Sequence, residues 1–315
     1  MPFRDYDRCV LCPRACGAER NAGNMGFCGE TAELKIASIG PHFGEEPPIS
    51  GTKGSGTIFY SGCSTGCFFC QNYQISRDHT GTVYTPAAFL QAMLALAGRG
   101  VHNINHVTPD HFWPHICEHI LQLKKEGCAL PHLINSSGYQ TEATARDMAD
   151  HAEIFLPDFK FADPELARLC MGRTDYPETA IKAIEIWVEA RGFLDADFSG
   201  KERSFQPAAS GVMVRHLVLP GHADNSIQAL EMLRAKFGPF LPVSLMSQYM
   251  PTLHCRGKNE FSRGVSADEY EQVLEAADRL GFENLFCQEL EQNAAFFPDF
   301  NDPEPFDGNR NRNSI

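Results

Sequence analysis

The chain has 315 residues, 43% of them hydrophobic and 21% charged, which is ordinary for a globular protein with a sizeable core. Its net charge of −13 argues against a nucleic-acid or anionic-membrane partner, since both are polyanions. No apolar run approaches the ~20 residues needed to span a bilayer, and the N-terminal residues lack the apolar stretch of a signal peptide, so a cytoplasmic protein is expected.

Three parts follow along the chain. Residues 1–31 form a cysteine-rich extension with little apolar periodicity, and residues 32–56 a Gly- and Pro-rich connector. From residue 57 to 292 short apolar runs alternate with amphipathic segments. Strands are predicted at 57–61, 102–107, 131–135, 153–157, 211–218, 242–247 and 284–287; their short apolar character suits strands buried on both faces of a parallel sheet. Between them, Pro86 opens a helix carrying Phe89, Leu90, Met93 and Leu94 that stops at Gly98, and Ser266 with Glu269 has the spacing of a capping box. Residues 192–210 read as a surface excursion, and residues 293–315 as an extended tail laid over the body. The alternation predicts an α/β fold of about six strand–helix units, curled into a partial barrel whose ligands gather at the carboxyl ends of the strands.

Seven of the 12 cysteines fall in the first 70 residues. Disulfides are uncommon in a reducing compartment, so this crowding points to metal. The other five (Cys117, Cys128, Cys170, Cys255 and Cys287) read as buried small apolar residues. Cys63, Cys67 and Cys70 follow the first core strand directly. Three thiolates in eight residues can wrap one iron–sulfur cluster and leave one iron open to a small molecule, the logic of a catalytic metal. The bland alternatives are a zinc site completed by a distant ligand, or three buried thiols.

CxxxCxxC with an aromatic residue before the last cysteine resembles the signature of the radical SAM superfamily. The stretch EEPPISGTKGSGTIFYSGCSTGCFFCQNYQIS, with NINHVTPDHF, NSSGY, LPDFKFAD, VRHLVLPGH and LMSQYMP, is similar to the pyruvate formate-lyase-activating-enzyme-like family within it, over nearly the whole chain. The resemblance implies a (β/α)6-type TIM barrel and a [4Fe–4S] cluster on Cys63, Cys67 and Cys70, whose open iron chelates S-adenosyl-L-methionine (SAM). It further implies one-electron cleavage of SAM to a 5′-deoxyadenosyl radical that abstracts hydrogen from a substrate, with flavodoxin or ferredoxin as electron donor. The substrate would be a glycyl-radical enzyme, or another peptide, protein or small molecule.

By the same resemblance Phe69 lies near the adenine, Asn135 near the SAM carboxylate, and Arg215 against SAM. Asp158 would accept from the SAM ammonium and Lys160 meet a carboxylate. Gln248 and Tyr249 fall where adenosine or substrate is expected. The superfamily's Gly-Gly-Glu strand end is replaced by Val107-Thr108-Pro109-Asp110, where Thr108 supplies the polar contacts. His106 and His216, inside apolar strands, read as satisfied core histidines rather than ligands or bases.

Cys9, Cys12, Cys16 and Cys28 offer four thiolates in twenty residues, enough for a structural zinc or a second iron–sulfur cluster. The asymmetric spacing favours the cluster, as an electron relay or as a staple for a segment too short for its own core. Arg14 and Arg20 either stabilise this thiolate charge or are simply solvated. From another class, an iron–sulfur electron carrier or zinc-binding module would need no barrel of strand–helix repeats.

Overall fold

A computed structural model of the chain describes residues 3–196, 206–290, 297–302 and 304–306. Ten strands build its sheets: β1 (Lys35–His42), β2 (Ser55–Tyr60), β3 (Thr82–Val83), β4 (Ile104–Val107), β5 (His132–Ser136), β6 (Ile154–Pro157), β7 (Gly211–Val212), β8 (Val214–Leu217), β9 (Val243–Met246) and β10 (Leu285–Cys287). One sheet has the order β3-β1-β2-β4-β5-β6-β7 and the other β10-β9-β8. Every pairing is parallel except those of β1, which runs antiparallel to β2 and β3. A bridge between Asp158 and Arg215 joins the end of β6 to β8 and makes one curved ladder of the two sheets. The fold is therefore α/β with a parallel sheet, as the alternating pattern predicts. Every residue of β2 and β4 is buried, consistent with strands covered on both faces.

Seven longer helices supply the crossovers, and their starts are written in the sequence. Thr85 accepts from the Ala88 amide ahead of Pro86–Gly98, Thr141 from Thr144 ahead of Glu142–His151, and Asp163 from Glu165 ahead of Pro164–Met171. Ser266 and Glu269 form the expected reciprocal capping box. Helix and sheet meet in a continuous core; Trp187 stacks on Phe155 at 4.9 Å and donates its indole N–H to Ala145 O. Among the described residues, no helix is long and apolar enough to cross a membrane.

Several expectations need correction. The run 211–218 is two strands: the Met213 amide turns to Phe155 O, so β7 pairs with β6 while β8 pairs with β9, and the chain changes sheets at that residue. Residues 35–42, within the stretch read as connector, form the antiparallel strand β1. At the described ends of the 192–210 excursion Gly192, Asp195, Gln206 and Ala209 are exposed, while Leu194 and Ala208 tuck into the body; residues 197–205 lie outside the described residues. Of the five scattered cysteines only Cys170 and Cys255 are buried, Cys117 and Cys128 being half-buried and Cys287 exposed. Residues 297–302 and 304–306 do lie over the body, with Phe300 packed 5.2 Å from Phe59 on β2; the rest of the predicted tail is outside the described residues.

Candidate active site

After β2 the backbone turns at Gly62 with φ +81°, where a Cβ would stand 2.6 Å from Cys28 O. The loop that follows carries Cys63, Cys67 and Cys70 into a cavity of about 220 Å³. Cys63 Sγ lies 3.1 Å from Thr65 Oγ1. Burial pushes the Cys67 thiol up to about 12, with Cys63 and Cys70 adding to the rise; burial and Cys63 raise Cys70 in the same way. Buried thiols crowded like this form thiolates only with a cation to share their charge. A single tetrahedral zinc at ~2.3 Å would need its sulfurs roughly 3.8 Å apart. Zinc there would also need a fourth ligand, whereas a soft, all-sulfur set of three fits three corners of an iron–sulfur cluster.

The carboxyl ends of the parallel strands supply the other walls: Thr108 after β4, Asn135 and Ser136 on β5 with Ser137 just after it, Asp158 and Lys160 after β6, Arg215 on β8, and Gln248 after β9. Phe69 joins them from the cysteine loop. Thr108 holds φ +55°, costly for a β-branched residue, and is fixed there by its amide bonding Asn135 O at 2.8 Å. Tyr176 Oη ties β5 to β6, accepting from the Lys160 amide at 2.9 Å and lying 2.9 Å from both Ser137 O and Asp158 O. Lys160 and Asp158 form a close ion pair. Burial works against the Lys160 charge, but Asp158 and the thiols of Cys67 and Cys70 outweigh it and hold its pKa above the ordinary value. Gln248 is held at both ends, its carbonyl accepting from Gln71 at 2.5 Å and its Oε1 from Gln288 at 2.9 Å.

Arg215 reaches the cavity already engaged. Its Nε donates to Glu46 Oε1 at 2.9 Å, and its Nη2 makes close ion pairs with both Glu45 and Glu46. Asn105 donates to Glu45 Oε1 at 2.8 Å. Burial disfavours the Arg215 charge, yet the two carboxylates raise its pKa; burial likewise opposes the Glu46 carboxylate, and Arg215 brings it below the usual range. Nη1 makes none of these bonds. Glu45 and Glu46 escape sequence reasoning because two acids ahead of Pro-Pro look like a solvated loop; the signal was their position one strand before the cysteines.

Tyr249 is the one predicted contact that does not line the cavity. It packs behind Phe69 with centroids 5.9 Å apart, and its hydroxyl donates to Phe261 O at 2.7 Å. His106 and His216 are core histidines as expected: His106 lies between Tyr60 Oη and His132, and His216 between Phe159 O and Ser226. Phe306 lines the cavity edge, its ring 4.3 Å from that of His42.

The N-terminal cysteines gather against the same loop. The Cys63 amide donates to Cys28 O at 3.4 Å, and a Cβ on Gly26 would meet the sulfurs of Cys28 and Cys16 at 3.3 and 3.5 Å. Burial pushes Cys12 up to about 12 and Cys28 to about 11. Cys16 goes the other way: slight burial opposes its thiolate, but the amides of Ala18 and Phe27 and the Arg20 charge outweigh it. Arg20 is not solvated; at 1% exposure it donates to Cys9 Sγ, Thr31 O and His111 O.

Residues 57–233, more than half of the chain, match the family model described as "Radical SAM superfamily". Among curated proteins, an uncharacterized protein of Methanocaldococcus jannaschii is 24% identical over 288 residues, 89% of this chain and 77% of that one. Among solved structures, methylornithine synthase is 18% identical with a TM-score of 0.48, covering 71% of this chain and 60% of its own. Streptococcus suis SuiB bound to S-adenosylmethionine is 11% identical at 0.48, covering 72% and 48%. The chain thus spans about half to three-fifths of these two solved chains.

Proposed function

The chain belongs to the radical SAM superfamily, and from that premise we propose that Cys63, Cys67 and Cys70 hold a [4Fe–4S] cluster at which SAM is cleaved to start radical chemistry on a substrate. One observation carries this reading: three thiols from one loop, Cys63 and Cys67 buried and Cys70 half-buried, open onto a cavity walled by the carboxyl ends of β4, β5, β6, β8 and β9. When bound there, cluster and SAM supply a one-electron reduction of the sulfonium and, from it, a 5′-deoxyadenosyl radical able to take hydrogen from an unactivated carbon.

The chain's own residues bind, orient and exclude water. Three thiolates leave one iron corner without a protein ligand. The Asp158–Lys160 pair is the charge complement of an amino-acid zwitterion, so Asp158 receives the SAM ammonium while Lys160 meets the carboxylate with Asn135 and Ser137. Phe69, backed by Tyr249, offers a face to the adenine. Arg215 Nη1, with its neighbours held by Glu45 and Glu46, is free to donate to the same ligand. Phe59 and Phe306 narrow the mouth and keep water from a reactive intermediate.

The substrate is a peptide, a protein or a small molecule with an abstractable C–H bond. Glycyl-radical activation is the narrower form that sequence resemblance supports; a glycyl-radical signal raised on a partner enzyme tests it. Flavodoxin or ferredoxin is the proposed electron source. We extend the reading to Cys9, Cys12, Cys16 and Cys28 as a second metal centre, an iron–sulfur cluster in preference to zinc. Their asymmetric spacing along the chain supports the cluster over a zinc ribbon.

The test is anaerobic: supply iron and sulfide, count iron and zinc, then add dithionite and SAM and assay 5′-deoxyadenosine. About eight irons per chain support both centres, and about four support the catalytic one alone. Cys67→Ala is expected to lose cluster and cleavage together, whereas Cys12→Ala keeps part of the cleavage. Full cleavage by the Cys67 variant would overturn the reading.

A further inference from the structure

The N-terminal extension holds the cysteine loop at several points. Arg14, set between Cys12 and Cys16, donates from Nε to Ser64 O at 2.9 Å and from Nη2 to Thr65 O at 2.8 Å. The same Nη2 reaches Met171 O at 2.6 Å. Its guanidinium lies 3.8 Å from the centroid of Phe27, whose ring in turn stands 3.5 Å from where a Cβ on Gly66 would be. Cys28 O takes the Cys63 amide. Within Cys63–Cys67, the first amide and the next two carbonyls are thus all bonded to the extension. The rest of the chain adds two side-chain holds on the segment, Ser64 Oγ to Asp110 Oδ2 at 2.8 Å and Arg77 Nη1 to Gly66 O at 3.4 Å.

The extension has little of its own to keep Arg14 in place. Val10, Met25 and Phe27 are more than half exposed, and so short a segment builds no sufficient core. Cys12 and Cys16 stand two residues to either side of Arg14. Closure of the four thiolates on metal is what would order such a segment.

We propose that Arg14 is a positioning residue for the catalytic cluster, and that metal bound by Cys9, Cys12, Cys16 and Cys28 sets Arg14 and the Cys28 carbonyl against Ser64 and Thr65, so that Cys63 and Cys67 are pre-spaced before iron arrives. The trigger rests on the second metal centre proposed above; the clamp rests only on the hydrogen bonds. Arg14 also brings one positive charge to an anionic cluster, which favours its reduced form.

The test uses the full chain, anaerobically, with wild type, Arg14→Met, Arg14→Lys and Cys16→Ser compared. Hydrogen exchange at residues 63–67 is read before iron is supplied to the catalytic site, then iron affinity and the midpoint potential of the reconstituted cluster. Arg14→Met is expected to speed loop exchange, weaken cluster binding by about 10–100-fold and make the midpoint more negative. Arg14→Lys restores the potential but not the protection, because one ammonium cannot span two carbonyls. Cys16→Ser loses the extension's metal and repeats the faster loop exchange with Arg14 intact. Wild-type exchange and iron affinity in Arg14→Met overturn the clamp, and if that variant does not fold, wild-type protection in Arg14→Lys does so. A protected loop in Cys16→Ser after metal loss overturns the trigger, as does a wild-type extension that takes up neither iron nor zinc. Failure to cleave SAM with the three-cysteine cluster in place counts instead against the parent function.

Discussion

Removing Arg215 should cost the fold more than any exposed arginine could. In Arg215→Met the aliphatic stem is replaced, but Glu45 and Glu46 stay behind with side chains only 8% and 10% exposed. Breaking a buried ion pair by deleting one partner typically costs about 3–5 kcal/mol, because the charge left behind is uncompensated. With an unfolding entropy of about 2.1 cal/mol/K per residue, the whole chain carries roughly 0.66 kcal/mol/K, so the melting midpoint should fall by about 5–8 °C. The same origin predicts a rescue: adding Glu45→Gln and Glu46→Gln to Arg215→Met removes the stranded charges and should recover most of the loss. Thermal melts of the three proteins at neutral pH, followed by circular dichroism, decide it. A single variant within 1–2 °C of wild type, or a triple variant no better than the single, would refute the account of a buried ionic triad held by Arg215.

Two other perturbations test the same framework. His106, His111, His132 and His216 are kept neutral by burial, His111 down to about 3 and His132 and His216 to about 4. The unfolded chain takes up protons that these sites refuse, so stability should be full above pH ~6.5 and decline as pH falls towards ~4; a midpoint flat from pH 7 to 5 would contradict their buried, neutral state. Gly138→Ala places a Cβ 2.6 Å from Asp158 O at φ +73°, which should spread β5 from β6. Stability should fall by about 1–3 kcal/mol and SAM cleavage slow by about 10–100-fold, while Gly98→Ala, with open space around it, should leave both near wild type.

The parallel strands were legible because a strand covered on both faces writes itself as a short apolar run, and helix starts because Thr85-Pro86 and Ser266-x-x-Glu269 satisfy backbone donors locally. The three-cysteine loop was legible for the same reason of proximity. β1 was not, since Lys35–His42 contains Gly40 and Pro41 and is only half-buried over most of its length. Nor was the turn from one sheet to the other at Met213, which depends on a carbonyl of Phe155 rather than on any local pattern. Arg14 showed its charge in the sequence but not its partners, which lie 50 and 51 residues on. Tyr249 marks a different limit: its place after a predicted strand suggested a ligand contact for it as for Gln248, but successive residues of an extended segment face opposite ways.

The distances along the chain between bonded groups also bear on how the protein is made. Ser64 meets Asp110 across 46 residues, Arg14 meets Met171 across 157, Arg215 meets Glu45 across 170, and Gln71 meets Gln248 across 177. Each such contact must first meet the entropic cost of closing a long loop, and contacts of high sequence separation slow folding. Local helices and neighbouring strand pairs can form early; the cavity walls, drawn from nearly every part of the chain, close together and late. Until that last step the thiols stand in a chain without its ion pairs, exposed to oxidation and to the wrong metal. Oxygen during biosynthesis should therefore damage this protein far more than the same oxygen after folding is complete.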